Sequence, residues 1–316
     1  MKIAIVTDSS CDLPQDLLYQ YNIREVPFKV VIDSTVHYDN HVDLDRESFY
    51  NETLISRRTI KIEEPSVDDF IQVYKKLAPN YDAVISIHQS AQLSNTIKNA
   101  RAAAVQGAET YRKLRAQKNI PTQLQIRVLN SKSTSIGLGL LVLRAAELLY
   151  DEINFTKFAN ELESLADKIF FYLVPSDLSY LRNAKEITKV SMLETSVASA
   201  LDQKLILTFN KSDVVKQDKF KGFDAALKEM QKLTMTRLQE AQSFDKVGIV
   251  FAGALREMEQ FSPLTSFRME LASSGLGSVV SNLCPAVGIY AGPKAVGVAI
   301  INGDISVMQL IGSNRT

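Results

Sequence analysis

Three short apolar runs in the first half of the chain each end in a cluster of hydroxyl residues and lead into a helical pattern. They read IAIVTDSSCD from Ile3 to Asp12, AVISIHQSAQLSNT from Ala83 to Thr96, and IRVLNSKSTS from Ile126 to Ser135. Short apolar runs bounded by turn residues are the pattern of strands buried on both faces, and their alternation with helices predicts a parallel sheet. In such a sheet all three clusters emerge on one edge, where open α/β sheets bind ligands. Ser and Thr hydroxyls, with the N–H groups of helix starts, suit an anionic head group such as a carboxylate or phosphate. The pattern alone therefore points to a small-anion site.

The rest of the chain fits around this frame. A helix is expected from Leu13-Pro14 to Tyr21, with the proline in its first turn. A strand follows over Glu25–Ile32. Helices are expected over Asp43–Ser56 and Ser66–Leu77, capped by Asp43 and Ser66, with Asp69 placed as a short relative of the capping box. One long Ala-rich helix is expected from Asn95 to Gln117, then a strand over Gln125–Leu129. A helix over Ile136–Leu149 has Gly137 and Gly139 in its first turn.

After Tyr150 the character changes. Helices over Phe155–Lys168, Phe223–Ala241 and up to about Ala272 are interspersed with strands over Ile169–Val174, Lys204–Phe209 and Lys246–Phe251, with a polar stretch from Asn210 to Lys221. The end reads as strands over Ala286–Tyr290, Ala295–Ile301 and Ile305–Leu310, joined at Gly292-Pro293 and Asn302-Gly303; Asn-Gly is the favoured hairpin pair. That antiparallel signature predicts a second, α+β domain packed on the first, with a ligand in the cleft between them.

Bulk properties narrow the function. A chain of 316 residues fits two domains or one large one. Lys plus Arg and Asp plus Glu are 36 each, so no electrostatic case exists for nucleic acid or an anionic membrane. No apolar run approaches the ~20 residues of a membrane span, and the N-terminus lacks a signal pattern. The two cysteines, Cys11 and Cys284, lie far apart and fit a reducing compartment. A cytoplasmic protein is expected.

Each candidate group also has a structural reading. Asp8, Ser9 or Asp12 can cap the next helix as well as bind an anion. Cys11 at a helix start is a candidate nucleophile or a buried thiol. His88 with the following serines suggests nucleophilic chemistry, but no G-x-S-x-G elbow is present. Ser94-Asn95-Thr96 at a helix start is the better head-group site. Asn130 to Ser135 is not a P-loop. Asp33, Asp39, Asp43 and Asp45 with His37 and His41 match no metal spacing, so a solvated loop is expected there.

Taken in order, these elements resemble the DegV family, which includes the fatty-acid-binding subunits of bacterial fatty acid kinase. The opening T-D-S-[ST]-x-D-L-P stands as Thr7-Asp8-Ser9-Ser10-Cys11-Asp12-Leu13-Pro14. Tyr21, Ile23, Val26 and Pro27 match the next stretch, and Tyr38-Asp39 the Y-x-D element. L-S-G-T appears as Leu93-Ser94-Asn95-Thr96. The D-S-x-x-x-S-x-G-x-G element appears as Asn130-Ser131 through Ser135, Gly137 and Gly139, and the H-x-G-P-G turn as Tyr290-Ala291-Gly292-Pro293-Lys294. The similarity runs from Lys2 to about Gly303.

The resemblance implies an α/β fold of two domains. Residues 1–160 would form a three-layer α/β/α domain on a parallel sheet, and residues 161–316 a two-layer α+β domain with a mixed sheet. It implies a non-catalytic protein holding a long-chain fatty acid in an interdomain tunnel, with no cofactor or metal. A separate fatty acid kinase subunit would be its partner. Ser94 would hold the carboxylate, and Thr7, Asp8, Ser9, Asn95, Thr96, Ser131, Ser135 and Gly292 would shape the site. The chain departs from the pattern where a head-group Thr is replaced by Ile62, the middle Arg by Glu186, the loop Asp by Asn130 and the turn His by Tyr290. It is also longer around Gln106–Thr122. These changes leave open a paralogue binding another small anionic ligand, or a hydrolase or transferase using Ser94 or Cys11.

Overall fold

The computed structural model describes residues 1–56, 58–149, 153–181, 203–210, 213–240 and 244–305. Strands β1 (Ile3–Asp8), β2 (Arg24–Val26), β6 (Ala83–His88) and β7 (Gln125–Asn130) form a parallel sheet in the order β2-β1-β6-β7. Every residue of β1 and β6 is buried, as their unbroken apolar runs predict. Val6 lies beside Ser86 and His88 beside Asn130, so the three hydroxyl clusters leave the sheet at one edge.

The strand expected over Glu25–Ile32 is two strands in two sheets. Pro27 cannot donate to a ladder, and the chain turns there from β2 into β3 (Lys29–Ile32). With β4 (Thr35–Tyr38) and β5 (Ile60–Glu63), β3 forms a small antiparallel sheet in the order β4-β3-β5. Asp33 and Ser34 make the two-residue turn between β3 and β4, with φ of 47° and 76°. The helix expected from Asp43 starts at Arg46 instead. Asp45 caps it, while the Asp43 carboxylate accepts from the Tyr38 N–H at 2.7 Å.

The capping box at Ser66 and Asp69 is complete, with the Asp69 N–H donating to Ser66 Oγ at 3.2 Å and the Ser66 N–H to Asp69 Oδ2 at 2.9 Å. Such a cap contributes about 1 kcal/mol to the helix Val67–Leu77. The long helix expected from Asn95 is two helices, Thr96–Gln106 and Ala108–Gln117, meeting at Gly107. A Cβ there would lie 2.0 Å from the Tyr111 hydroxyl, which donates to Ala103 O at 2.9 Å. The second of these helices is pinned by Arg115, buried and donating to the carbonyls of Ala78, Tyr81 and Thr122.

A mixed sheet in the order β10-β9-β8-β13-β11-β12 makes the other half of the molecule. Its strands are β8 (Ile169–Val174), β9 (Gln203–Asn210), β10 (Asp213–Lys221), β11 (Lys246–Phe251), β12 (Gly277–Asn282) and β13 (Val296–Ile301). Only β11 and β12 run parallel. The polar stretch after Asn210 is thus strand β10, and β12 is a strand that the sequence pattern did not mark. The run Ala286–Tyr290, expected as a strand, lies in the helix Pro285–Ala291 with proline in its first turn. A five-residue apolar run does not distinguish the two. The Gly292-Pro293 turn therefore joins a helix to β13. The strand expected over Ile305–Leu310 lies outside the described residues beyond Ile305.

The helix Ser135–Glu147 lies between the two large sheets, with all but Arg144 and Glu147 buried. Its glycines allow the close approach. A Cβ on Gly139 would lie 2.2 Å from the Cys11 carbonyl oxygen. One hydrophobic cluster runs from β1 and β6 through this helix to β8, β9 and β13. Separate clusters fill the outer faces of the parallel and mixed sheets. This is an α/β fold with one parallel and one mixed sheet.

Candidate ligand-binding site

A cavity of about 150 Å³ lies where the parallel sheet edge meets the small antiparallel sheet and the mixed sheet. Its apolar wall comes from Phe28, Ile62, Leu93, Leu173, Leu181, Leu207, Phe209 and Val287. Its polar wall is Glu64, Gln89, Ser94, Thr134 and Tyr290. Ser94, Ile62 and Tyr290, singled out in the sequence, thus come together from distant segments. Gln89 and Thr134 were not singled out, although both sit in the hydroxyl loops.

Gln89 follows β6 directly, and its backbone N–H donates to Asp8 Oδ2 at 3.3 Å. Its side chain accepts from Thr134 Oγ1 at 3.0 Å and donates from Nε2 to Ser94 Oγ at 3.0 Å. Ser94 Oγ also accepts from the Thr96 N–H at 3.2 Å, which occupies both of its lone pairs. Its own proton is then what Ser94 has left to offer, either to Thr96 Oγ1 at 2.7 Å or into the cavity. Gln89 thereby makes Ser94 a donor, suited to an acceptor oxygen on a ligand. Asn95 is exposed and donates to Glu64 Oε1 at 2.9 Å, tying the loop to the end of β5.

The other predicted groups are buried away from the cavity, most of them bonded within the fold. Asp8 Oδ2 pairs with His88 Nδ1 at 2.8 Å, His88 Nε2 with Ser86 Oγ at 2.7 Å, and Ser86 Oγ accepts from the Tyr74 hydroxyl at 2.8 Å. All four are fully buried, and none lines the cavity. His88 is therefore the end of a strand within a closed network that supports Gln89 from behind. Ser9 Oγ accepts from the Phe28 N–H at 3.0 Å. Ser131 Oγ donates to the Ser133 carbonyl at 3.1 Å. Ser135 Oγ donates to Asp12 Oδ2 at 2.5 Å. Thr7 Oγ1 is buried without a hydrogen-bond partner. Gly292, at φ 77°, packs against the Tyr180 ring, where a Cβ would lie 2.5 Å away.

Beside the first loop sits Arg46, buried and paired with Asp12 at 2.8 Å and Asp39 at 2.8 Å. It also donates to the carbonyls of Ser9 and Asn282, so it bolts the loop to β12. No sequence motif marked Arg46; its neighbours Asp12 and Asp39 carried the signal. The acidic loop expected to be solvated is spread over separate jobs. Asp39 is buried on Arg46, Asp33 pairs with Arg58, and Asp45 caps a helix. Among the described residues no group of three or more His, Cys, Asp or Glu is arranged to hold a metal.

Burial governs the titration of this region. It pushes the Asp12 carboxyl up to about 6, with Arg46 and Ser135 pulling the other way. It pushes Glu25 up to about 8, and His41 beside it down to about 4. Burial also raises the Cys11 and Cys284 thiols, with neighbouring carboxylates adding to it. A neutral, fully buried thiol is a poor nucleophile. Ser94 has Gln89 and Thr96 as its partners, and neither is a base.

Comparison with known proteins places this arrangement. A family model described as an uncharacterised protein of the DegV family matches residues 2–303. A DegV domain-containing protein of Xanthomonas axonopodis pv. citri is 28% identical over 309 residues, covering 95% of this chain and 98% of that one. Protein DegV of Bacillus subtilis is 26% identical over 234 residues, covering 74% and 77%. The solved structure of a DegV family protein from Thermus thermophilus, titled for its fatty acid binding, has a TM-score of 0.78 at 23% identity, covering 95% of this chain and 99% of that one. A stearic-acid-binding protein from Eubacterium ventriosum also has a TM-score of 0.78, at 21% identity, covering 95% and 98%. No described helix is long and apolar enough to cross a membrane. With one family model spanning nearly the whole chain and the fold agreeing over the same span, the chain belongs to the DegV family.

Proposed function

We propose that this protein binds a single-chain lipid, a fatty acid, with its head at Ser94 and its chain against the apolar wall of the cavity. The observation that carries this is the division of one cavity into a hydroxyl–amide end and a wall of Leu, Phe and Val side chains. Each buried methylene contributes about 0.8 kcal/mol, and the Ser94 and Gln89 donors fix the head. Family members of the same fold from Thermus thermophilus and Bacillus subtilis are described as fatty-acid-binding proteins, which supports the ligand class. A volume of 150 Å³ is below the roughly 300 Å³ at which small-ligand pockets begin, so a long chain must displace Leu or Phe side chains. The division into two domains belongs to this proposal, with the border after Ala166, where the helix straddling residue 160 ends.

Native mass spectrometry of the purified protein tests it. A bound mass matching a fatty acid, lost on denaturation, is expected. A reproducibly empty protein with no affinity for any acyl chain overturns it. Presentation of the head group to a separate kinase subunit is the further step that family resemblance implies. Ser94 is half-buried and Asn95 exposed, so a head group there lies close to the surface. Acyl phosphate formed only when a kinase subunit, ATP and this protein are combined supports that step, and its absence removes it.

A further inference from the structure

The polar end of the cavity has a sign. Among the described residues lining it, the one ionisable to a full charge at neutral pH is Glu64, a carboxylic acid, and its companions Gln89, Ser94, Thr134 and Tyr290 are neutral groups. The Glu64 side chain is drawn toward the loop carrying Ser94 by the bond from Asn95 Nδ2 at 2.9 Å. Among the described residues, the lysines of the surrounding elements are paired or exposed. Lys61 pairs with Glu63 on the same strand at 2.6 Å, and Lys29 on β3 pairs with Asp69 at 3.1 Å. Lys204 on β9 donates to the Ser176 carbonyl at 2.8 Å, and Lys98 on the helix after Asn95 is exposed. Behind Gln89, Asp8 Oδ2 and His88 Nδ1 are paired at 2.8 Å.

We propose that this site takes its lipid with an uncharged acyl carbonyl as the head group, and that Glu64 sets this preference. The inference rests on the lipid-binding reading above and deepens it. A ligand carboxylate placed beside Glu64, partly out of water and with no cation among the described lining residues, is disfavoured by charge repulsion and desolvation together. It responds by taking up a proton. The protonated acid presents a carbonyl oxygen to the Ser94 and Gln89 donors and an O–H that the Glu64 carboxylate can accept, so one proton serves two acids. An amide or ester of the same chain presents the same carbonyl with no charge at all.

Titration of wild type, Glu64→Gln and Asp68→Asn with dodecanoic acid and dodecanamide between pH 6 and pH 8 tests this. For wild type, acid affinity should fall about a hundredfold over that range, because the neutral form of the ligand becomes tenfold scarcer per pH unit. Amide affinity should hold within about twofold, since the amide does not titrate. Glu64→Gln should narrow the acid-to-amide gap at pH 8 by roughly fivefold or more. Asp68→Asn, exposed in the first turn of the following helix, should leave the gap unchanged. Acid bound as tightly at pH 8 as at pH 6, and no weaker than the amide, overturns the uncharged-head inference while the lipid-binding reading stands. A fall with pH that is identical in wild type and Glu64→Gln overturns the role of Glu64. Binding of neither ligand overturns both readings.

Discussion

The loops after β1 and β6 leave adjacent strands of one sheet, and in the sequence they carry similar hydroxyl clusters. In the structure they behave differently. Around Asp8 to Asp12 almost every polar group has a protein partner: Asp8 with His88 and Ser10, Ser9 with Phe28, Asp12 with Arg46 and Ser135. The loop from Gln89 to Thr96 instead holds Ser94 on the wall of a cavity, its lone pairs filled by Gln89 and Thr96 and its proton available to Thr96 Oγ1 or to the cavity. One loop is closed and makes the frame; the other is open and lines the cavity. A hydroxyl cluster at a sheet edge is therefore a site only where its bonds are not already spent on the fold.

The largest effect that can break this contrast is expected at Arg46. Arg46→Ala leaves Asp12 and Asp39 buried without their cation, and losing one partner of such a group costs about 3–5 kcal/mol. Urea unfolding should show the midpoint collapse; a wild-type midpoint means that the first loop is not held shut by this arginine. A smaller effect is expected from pH. The Glu25 carboxyl stands at about 8 in the fold against an ordinary value of 4.5, because burial favours its neutral form. A raised folded value means that its contribution is fully present below pH 4.5 and is lost as pH rises through 8. Stability should fall across that window by on the order of 1–3 kcal/mol, after discounting for its partly exposed edge. Glu25→Gln should flatten the curve, and an unchanged curve places the titration elsewhere.

Smaller still is the open loop. Ser94→Ala should weaken fatty acid binding about tenfold, the worth of one hydrogen bond of about 1.4 kcal/mol, and shift stability by less than about 1 kcal/mol. Calorimetric titration and thermal melts check both numbers, and a large loss of stability with intact binding reverses the roles of the two loops. Asn95→Ala, which removes an exposed side chain that donates to Glu64, should change stability by less than about 0.5 kcal/mol.

Much of the frame was legible because burial on both faces leaves a simple mark. The runs Ile3–Thr7 and Ala83–Ile87 and the helix after Ser135 stand out for that reason. Elements on edges and in small sheets left a weaker mark. β10 is mostly polar, β12 mixes Gly and Ser with Val, and Pro27 ends one strand only two residues before the next begins. The helix Pro285–Ala291 is too short to show a helical period. At the site, Ser94, Ile62 and Tyr290 could be found from ordered motifs. Gln89 could not, because its role depends on Thr134 and Asp8, each more than 40 residues away. Arg46 was hidden in the same way, its partners coming from Asp12, Asp39 and the carbonyl of Asn282.

The most direct measurement is the carbonyl resonance of dodecanoic acid labelled with carbon-13 at its carboxyl, bound to wild type, Ser94→Ala and Ser9→Ala. If the open loop holds the head group, the bound signal moves in Ser94→Ala and stays in place in Ser9→Ala. A signal that moves in Ser9→Ala and is untouched in Ser94→Ala contradicts the division between a closed loop and an open one.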